Sequence, residues 1–558
     1  MTCKNKRSLA LALVVASSFS IAGCGSLQQC ETVPKQVVNL EQKMKAPSPK
    51  PCIATKRAQK CCAAPSPSAR KSEVSSEEYG RIVESDFLAV KQNPFSTFSI
   101  DVDTAAYANV RRFINDGQLP PPDAVRSEEL INYFTYDYPQ PKGKEPFAIS
   151  AEVGDCPWAK GHKLVHIGLQ GREIASTNLP PSNLVFLIDC SGSMSDESKL
   201  PLLKRSFAML VEKLRPQDRV SIVTYAGSSG LVLPPTSGKD KSTILAALDR
   251  LESGGATAGG EGIVLAYDVA MRNFMPHGNN RIILATDGDF NVGLSSDDEL
   301  ERLIEQKRNS GVFLTVLGFG TGNYKDVRME TLADKGNGNH AYIDTLQEAK
   351  KVLVSEFGGT MFTIAKDVKL QVEFNPKLVK GYRLIGYENR MLAAEDFNDD
   401  KKDAGELGSG HHVTALYELV PAESKEKVRD DVDASRYQKL YWVGGAPGAD
   451  ELMCVKLRYK EPNGSQSKKL SYTVGSQLNP RGGTSENFRW SAAVAEFALL
   501  LHDSKYKGSA NYAQVVNLAD GAKGRDNGGY RSEFVGLVKR AQDLKTPRVA
   551  TDTQTPGQ

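Results

Sequence analysis

The sequence predicts an α/β doubly wound domain with a mainly parallel sheet, inserted in an all-β sandwich and followed by a helical C-terminal region. Three observations predict it. Between residues 181 and 363, uninterrupted apolar runs alternate strictly with stretches of helical period, the pattern of a parallel sheet covered on both faces. On either side, at 147–180 and 364–480, short runs alternate apolar and polar between Pro, Gly and Asn turns. From 481 to 546, apolar residues return to helical spacing.

The chain of 558 residues is long enough for several domains, and its balance of charge (+3, with 25% charged and 40% hydrophobic residues) gives no reason to expect nucleic acid as a partner. Basic residues 4–7 precede an apolar core from Leu9 to Ala16, which marks residues 1–23 as a secretory signal. Its end, Ile21-Ala22-Gly23-Cys24, resembles a bacterial lipobox, which implies cleavage before Cys24, lipid on that thiol and attachment to the cell envelope. Gly25 follows where inner-membrane retention favours Asp, so the sorting pattern favours the outer membrane. Residues 24–76 are rich in Lys, Pro, Ser, Ala and Gln and lack apolar periodicity, as expected of a disordered tether. The tether's Cys30, Cys52, Cys61 and Cys62 have no accompanying histidines and irregular spacing, which argues against zinc and leaves pairing open.

Residues 77–146 form an N-terminal α+β region. The segment FSTFSIDVD reads as a strand with Phe98 and Ile100 on one face, and Thr104 is placed to cap a helix from Ala105 to Asn115 that ends at Gly117. A second helix, AVRSEELINYF, follows three prolines. The Asp101-Val102-Asp103-Thr104 cluster invites comparison with an aspartate phosphatase loop, but Ala105 stands where that pattern needs Thr or Val. FAISAEV and KLVHIGLQG, within 147–180, are strands and the first part of the sandwich.

The α/β domain, 181–363, opens on LVFLIDCSGSMS. Leu184 to Ile188 run without polar interruption and then give way to Asp189, Ser191, Gly192 and Ser193 at the strand's carboxyl end, where open α/β sheets place ligands. Leu200, Leu203, Phe207, Leu210 and Leu214 mark one face of the next helix. RVSIVTYAG is a buried strand, LVLP a short edge strand, and TILAALDRL and GIVLAYDVAMRNF are helices. GGATAGGEG offers Thr257 on a glycine-rich loop. RIILATDGDF is another apolar strand, ending at Asp287. DDELERLIEQKRNSG carries acids first and bases last, matching the helix dipole. VFLTVLGFG and AYID complete the strands, with helices between and after.

Asp189, Ser191, Ser193, Thr257 and Asp287 form an all-oxygen set of the kind that hard divalent cations prefer. At these residues the sequence closely resembles the von Willebrand factor type A (VWA, Rossmann-like) family and its metal-ion-dependent adhesion site. The resemblance implies Mg²⁺ (or Mn²⁺/Ca²⁺) at the site, completed by an Asp or Glu from a partner protein. Two carboxylates roughly neutralise a divalent ion, and no histidine stands in these loops to act as a base for hydrolysis. Cys190 is expected to turn away as an inert buried thiol. Glu261 has two readings: a helper of a second ion, as in some integrin relatives, or an acid complementing a helix N-terminus. Asp289 and Asn291 are placed to shape the rim where a partner docks.

In 364–480, DVKLQVEF, VTALYELV, KLYWVGG, LMCVKLRY and KKLSYTVG are strands of the second part of the sandwich, an arrangement similar to the insertion in integrin β chains. A shift of the α/β domain's last helix would then be transmitted to the sandwich. Cys156 and Cys454 both fall in this sandwich and are a candidate disulfide. In 481–546, Trp490, Val494, Phe497 and Leu501 share one helix face, and Tyr530 to Leu544 form a last helix. GAKGRDNGGYRSEF lacks the strand and the ending of a phosphate loop and reads as a turn and cap. Residues 547–558 are a disordered tail. The N- and C-terminal segments resemble those accompanying type A domains in a family of bacterial lipoproteins.

The function expected is a lipid-anchored envelope protein that binds a protein partner through its metal, with no enzymatic activity and no nucleic acid. The alternatives are a structural envelope component with a stabilising metal and a VWA partner of an ATPase.

Overall fold

The computed structural model describes residues 77–255, 259–288, 297–428, 448, 450–462, 464–476 and 483–546. The expected signal, lipidation site Cys24, tether, strand KLYWVGG and tail lie outside them, as do Thr257, Asp289 and Asn291.

The central sheet has six strands in the order His340–Ile343, Phe313–Phe319, Asn279–Thr286, Ser182–Asp189, Arg219–Tyr225 and Ser229–Ser237. Every neighbouring pair is parallel except the last, where Ser229–Ser237 runs antiparallel at the edge. The edge strand is longer than LVLP alone predicts, because its polar flanks still pair with Arg219–Tyr225. The strand Ser182–Asp189 is buried throughout, and alternation divides its side chains between two cores. Leu184, Phe186 and Ile188 pack with Leu203, Phe207 and Leu210 of the helix Leu200–Lys213. Val185 and Leu187 pack with Ile263 and Ala266 of the helix Gly259–Arg272 on the opposite face. A mixed sheet covered by helices on both sides results.

Two antiparallel sheets are built from segments on either side of this unit. One runs Leu88–Ala89, Val379–Leu384, His412–Pro421, Lys163–Gly171, Phe147–Asp155. The other runs Met391–Leu392, Phe95–Ser99, Thr363–Phe374, Glu451–Lys460, Ser467–Gly475, with Gly405–Gly408 also paired to Thr363–Phe374. Phe98, Leu370, Val372 and Val455 of the second share one apolar cluster with Val165, Ile167, Tyr382 and Val413 of the first. The helices Glu486–Leu501, Tyr512–Asp520 and Tyr530–Lys545 bury Trp490, Phe497 and Phe534 against Tyr107, Val110 and Leu130 of the N-terminal helices and Phe134 just beyond them. The glycine-rich turn before the last helix is a cap: Asp526 accepts from the amides of Arg531 (3.1 Å) and Ser532 (2.7 Å).

Three local expectations are corrected. Thr104 occupies the N-cap position of the helix Ala105–Asn115 without a side-chain capping bond; Glu129 reaches across instead, its Oε2 accepting from Ala106 N at 2.8 Å. The second helix is confined to Ser127–Asn132, after a short 3₁₀ turn at Pro122–Ala124. Cys156 and Cys454 are both free thiols. Cys156 follows the strand Phe147–Asp155 and packs in the helical cluster beside Trp158, whereas Cys454 takes a half-buried position on Glu451–Lys460, outside that cluster. Membership of neighbouring sheets does not bring two side chains within bonding reach when each faces a different environment.

Candidate metal centre

The carboxyl ends of three adjacent parallel strands build the site. In the register, Asp189 stands opposite Tyr225 on one side, and Ile188 stands opposite Ala285 on the other, which carries Thr286 and Asp287 to the same rim. Asp189 is fully buried. Its Oδ1 accepts from Ser191 N at 2.8 Å, and its Oδ2 accepts from the hydroxyls of Tyr225 (3.2 Å) and Thr286 (3.1 Å). Burial pushes its pKa up to about 6, against the Ser191 hydrogen bonds and with a smaller contribution from the like charge of Asp287.

Asp287 is also fully buried. Its Oδ2 accepts from the Lys199 ammonium at 2.9 Å. Burial alone would raise this carboxyl, but the Lys199 charge and hydrogen bonds from Lys199, Ser193 and Asn323 outweigh it and hold the group below the usual carboxylate range. The hydroxyls of Ser191 and Ser193 lie 3.0 Å apart, with Ser191 buried and Ser193 open to solvent.

The loop that leads to Thr257 is stitched to this turn by backbone. Gly254 N donates to Cys190 O at 2.8 Å, and Gly192 N donates to Gly255 O at 3.1 Å. Gly255 has φ of +86°, and a β-carbon there would sit 3.0 Å from Gly227 N, so only glycine makes this approach without strain. Cys190 is buried beside Met194 in the apolar cluster under the turn, and burial pushes its thiol up to about 12. Glu261 is exposed in the first turn of the helix Gly259–Arg272.

The structure therefore brings together Asp189, Ser191, Ser193 and Asp287. It adds Tyr225, Thr286, Lys199 and Asn323, which sequence reasoning missed. Thr286 was legible as the residue before Asp287; Tyr225 needed the strand register. The donor chemistry fits a hard divalent cation: two buried carboxylates of like charge, neighbouring hydroxyls and a soft sulfur sealed away from them.

The residues of this site fall within the range of a known family model. The von Willebrand factor type A domain model matches residues 183–355, a von Willebrand factor model matches 73–166, and the model described as uncharacterized protein YfbK, C-terminal, matches 359–544. The chain is 45% identical over 463 residues to uncharacterized protein YfbK of Escherichia coli (strain K12), covering 82% of this chain and 79% of that one. It is 24% identical over 287 residues to inter-alpha-trypsin inhibitor heavy chain H3 of Homo sapiens, covering 47% of this chain and 31% of the relative. Among solved structures, a von Willebrand factor type A protein from Catenulispora acidiphila is similar with a TM-score of 0.40 and 15% identity, covering 73% of this chain and 91% of that one. Proximal thread matrix protein 1 of the mussel byssus, with a zinc-occupied MIDAS motif, is similar with a TM-score of 0.26 and 21% identity over 32% of this chain and 45% of that one. With a type A domain at its centre and the YfbK C-terminal segment after it, this chain belongs to the YfbK family.

Proposed function

We propose that this chain is a lipid-anchored envelope protein that binds a protein partner through a divalent cation, the partner supplying an Asp or Glu oxygen. The observation that carries the reading is the convergence of two fully buried carboxylates, Asp189 and Asp287, with the Ser191 and Ser193 hydroxyls at one sheet end. Asp189, Ser191, Ser193 and Asp287 would hold the ion, with Thr257 as the further donor of the set. Bound there, Mg²⁺ (or Mn²⁺/Ca²⁺) supplies a position for one more anionic oxygen. Tyr225 and Thr286 orient Asp189 through its Oδ2, Ser191 N fixes its Oδ1, and the apolar cluster beneath keeps water from the strand end.

The reading is non-catalytic. Ser491, His166 and Tyr138 form a hydrogen-bonded chain (2.8 and 2.7 Å), yet all three are buried, and burial pushes the His166 imidazole down to about 3. The chain ends on Thr414 and on the Phe488 carbonyl instead of a carboxylate, which supports a structural role. The anchor at Cys24 belongs to the same proposal. No helix among the described residues is long and apolar enough to cross a membrane.

We read the two antiparallel sheets as one sandwich into whose sequence the type A domain is inserted; their shared cluster supports this. Arg111, from the N-terminal helix, holds Asp344 and Glu348 at the start of the domain's last helical segment, so a shift there would be felt outside it. Cross-linking that segment in place is expected to change partner affinity; unchanged affinity would remove the coupling.

The central test is capture of partner proteins in cells by cross-linking. EDTA or Asp189→Ala is expected to abolish capture while the fold survives; capture that persists without metal would end the proposal. Metal-dependent melting without metal-dependent capture would favour a structural envelope component. Labelled palmitate is expected to enter the chain and to be lost in Cys24→Ala.

A further inference from the structure

Lys199 has no part in the ligand set expected from sequence, yet it is built into the site. Its side chain is about nine-tenths buried, with the ammonium 2.9 Å from Asp287 Oδ2 and 3.3 Å from Asn323 Oδ1. The stem lies in a slot made by Gly320. A β-carbon on Gly320 would stand 2.3 Å from Lys199 Cε and 2.4 Å from Cγ, and the φ of +74° there is itself a glycine conformation. The backbone also fixes the origin of the side chain: Lys199 N donates to Asp196 O, and Lys199 O accepts from Leu203 N. A surface lysine that happened to fold over an acid would need none of this. Burying an ammonium is costly unless it is paired, and Asp287 is the carboxylate that pairs it.

We propose that Lys199 is a resident cation of the metal centre: it weakens divalent-ion binding and leaves the loaded site with a net positive charge that selects a carboxylate over a neutral carbonyl. The inference rests on the reading of this site as a metal centre. Charge arithmetic carries it. Asp189 and Asp287 alone would present two negative charges, and a divalent ion would cancel them. With the Lys199 ammonium the ion meets one net negative charge and leaves one net positive charge behind. The first effect lowers metal affinity. The second raises affinity for an anionic oxygen and penalises its amide counterpart, in a site where low local dielectric magnifies both. In the metal-free state the same ammonium keeps Asp287 paired, so the strand ends do not depend on an ion to stay folded.

The test is titration of the purified full chain with Mn²⁺ alone, followed by calorimetry and by the paramagnetic signal of the free ion. Lys199→Met keeps the stem in its slot and removes the charge; it is expected to bind Mn²⁺ about tenfold tighter than wild type. Lys199→Arg keeps the charge and is expected to stay within about threefold of wild type. Lys199→Gln, which still donates a hydrogen bond to Asp287, is expected to follow Lys199→Met and serves if the latter does not fold. In EDTA both neutral variants should melt lower than wild type, with Mn²⁺ restoring the difference. Equal or weaker Mn²⁺ binding by folded neutral variants would overturn the role of Lys199 and leave the metal centre standing. Wild type that binds Mn²⁺ no better than Asp189→Ala would overturn the metal centre, and this inference with it.

Discussion

At the carboxyl ends of the parallel strands, buried Asp189 takes hydroxyl donors and buried Asp287 takes an ammonium. Along the helix Asp326–Lys335, by contrast, two arginines are ringed by six carboxylates. Arg126 reaches Asp326 (2.8 Å), Glu129 (3.2 Å) and Glu330, while Arg390 reaches Glu330 (3.0 Å), Asp334 (2.5 Å), Asp103 (3.4 Å) and Asp101 (3.5 Å). Both regions hold more acid than base, but they settle the excess differently. Ser193 opens the first to solvent, where a cation can enter. In the second, Asp103, Glu129, Asp326 and Glu330 are buried around the arginines, and a cavity lined by Ile82, Val83, Glu388 and Asn389 reaches Arg126 and Glu330. Burial raises Asp101 to about 7 against the pull of Arg390, and raises Glu129 to about 8 against that of Arg126. The first cluster gathers the ends of neighbouring strands, whereas the second joins segments distant in sequence through its two arginines.

The strongest way to break that comparison is to remove a cation from the cluster held by two arginines. Arg126→Met leaves three buried carboxylates without their shared partner and is expected to cost about 3–5 kcal/mol of unfolding free energy by denaturant titration. An effect near zero would mean that the junction does not hold the segments together.

A smaller effect is expected from pH. The raised pKa values of Asp101 and Glu129 mean that the folded state holds protons which the unfolded chain gives up near pH 4 to 4.5. Their contribution is fully present below that range and is lost as pH rises through about 7 to 8. The melting temperature should therefore fall between pH 6 and 9, and Glu129→Gln should flatten the decline. A melting temperature that rises over this window would contradict the assignment.

The smallest effect concerns the thiols. Cys454→Ala, at a half-buried strand position, should change stability by about 0.5 kcal/mol or less, and reductant should leave the melting temperature of the described body unchanged. A drop on reduction would restore the disulfide that the structure does not make.

These outcomes bear on what the sequence could reveal. Asp189 and Asp287 were legible because a buried strand announces itself as an apolar run, and its first polar residues mark the rim. Tyr225 and Thr286 gain their roles from parallel register, which local spacing does not encode. The junction was opaque for a similar reason: Arg126 lies 200 residues from Asp326 in the chain, and Arg111 lies 233 from Asp344. The Asp101–Asp103 pair stood in sequence beside a candidate helix cap, and its partner, Arg390, sits on a turn that periodicity does not flag. The failed cysteine pairing has the same origin, since alternation assigns a face to a residue but not the neighbour across it.

The backbone stitches between Cys190 and Gly254, and between Gly192 and Gly255, are indifferent to the side chains around them. Exposed Glu197 and Glu261 can therefore be exchanged while Asp189, Ser191 and Ser193 stay in register. Such a frame suits library selection: new specificities would be drawn from a variable collar set on an invariant clasp.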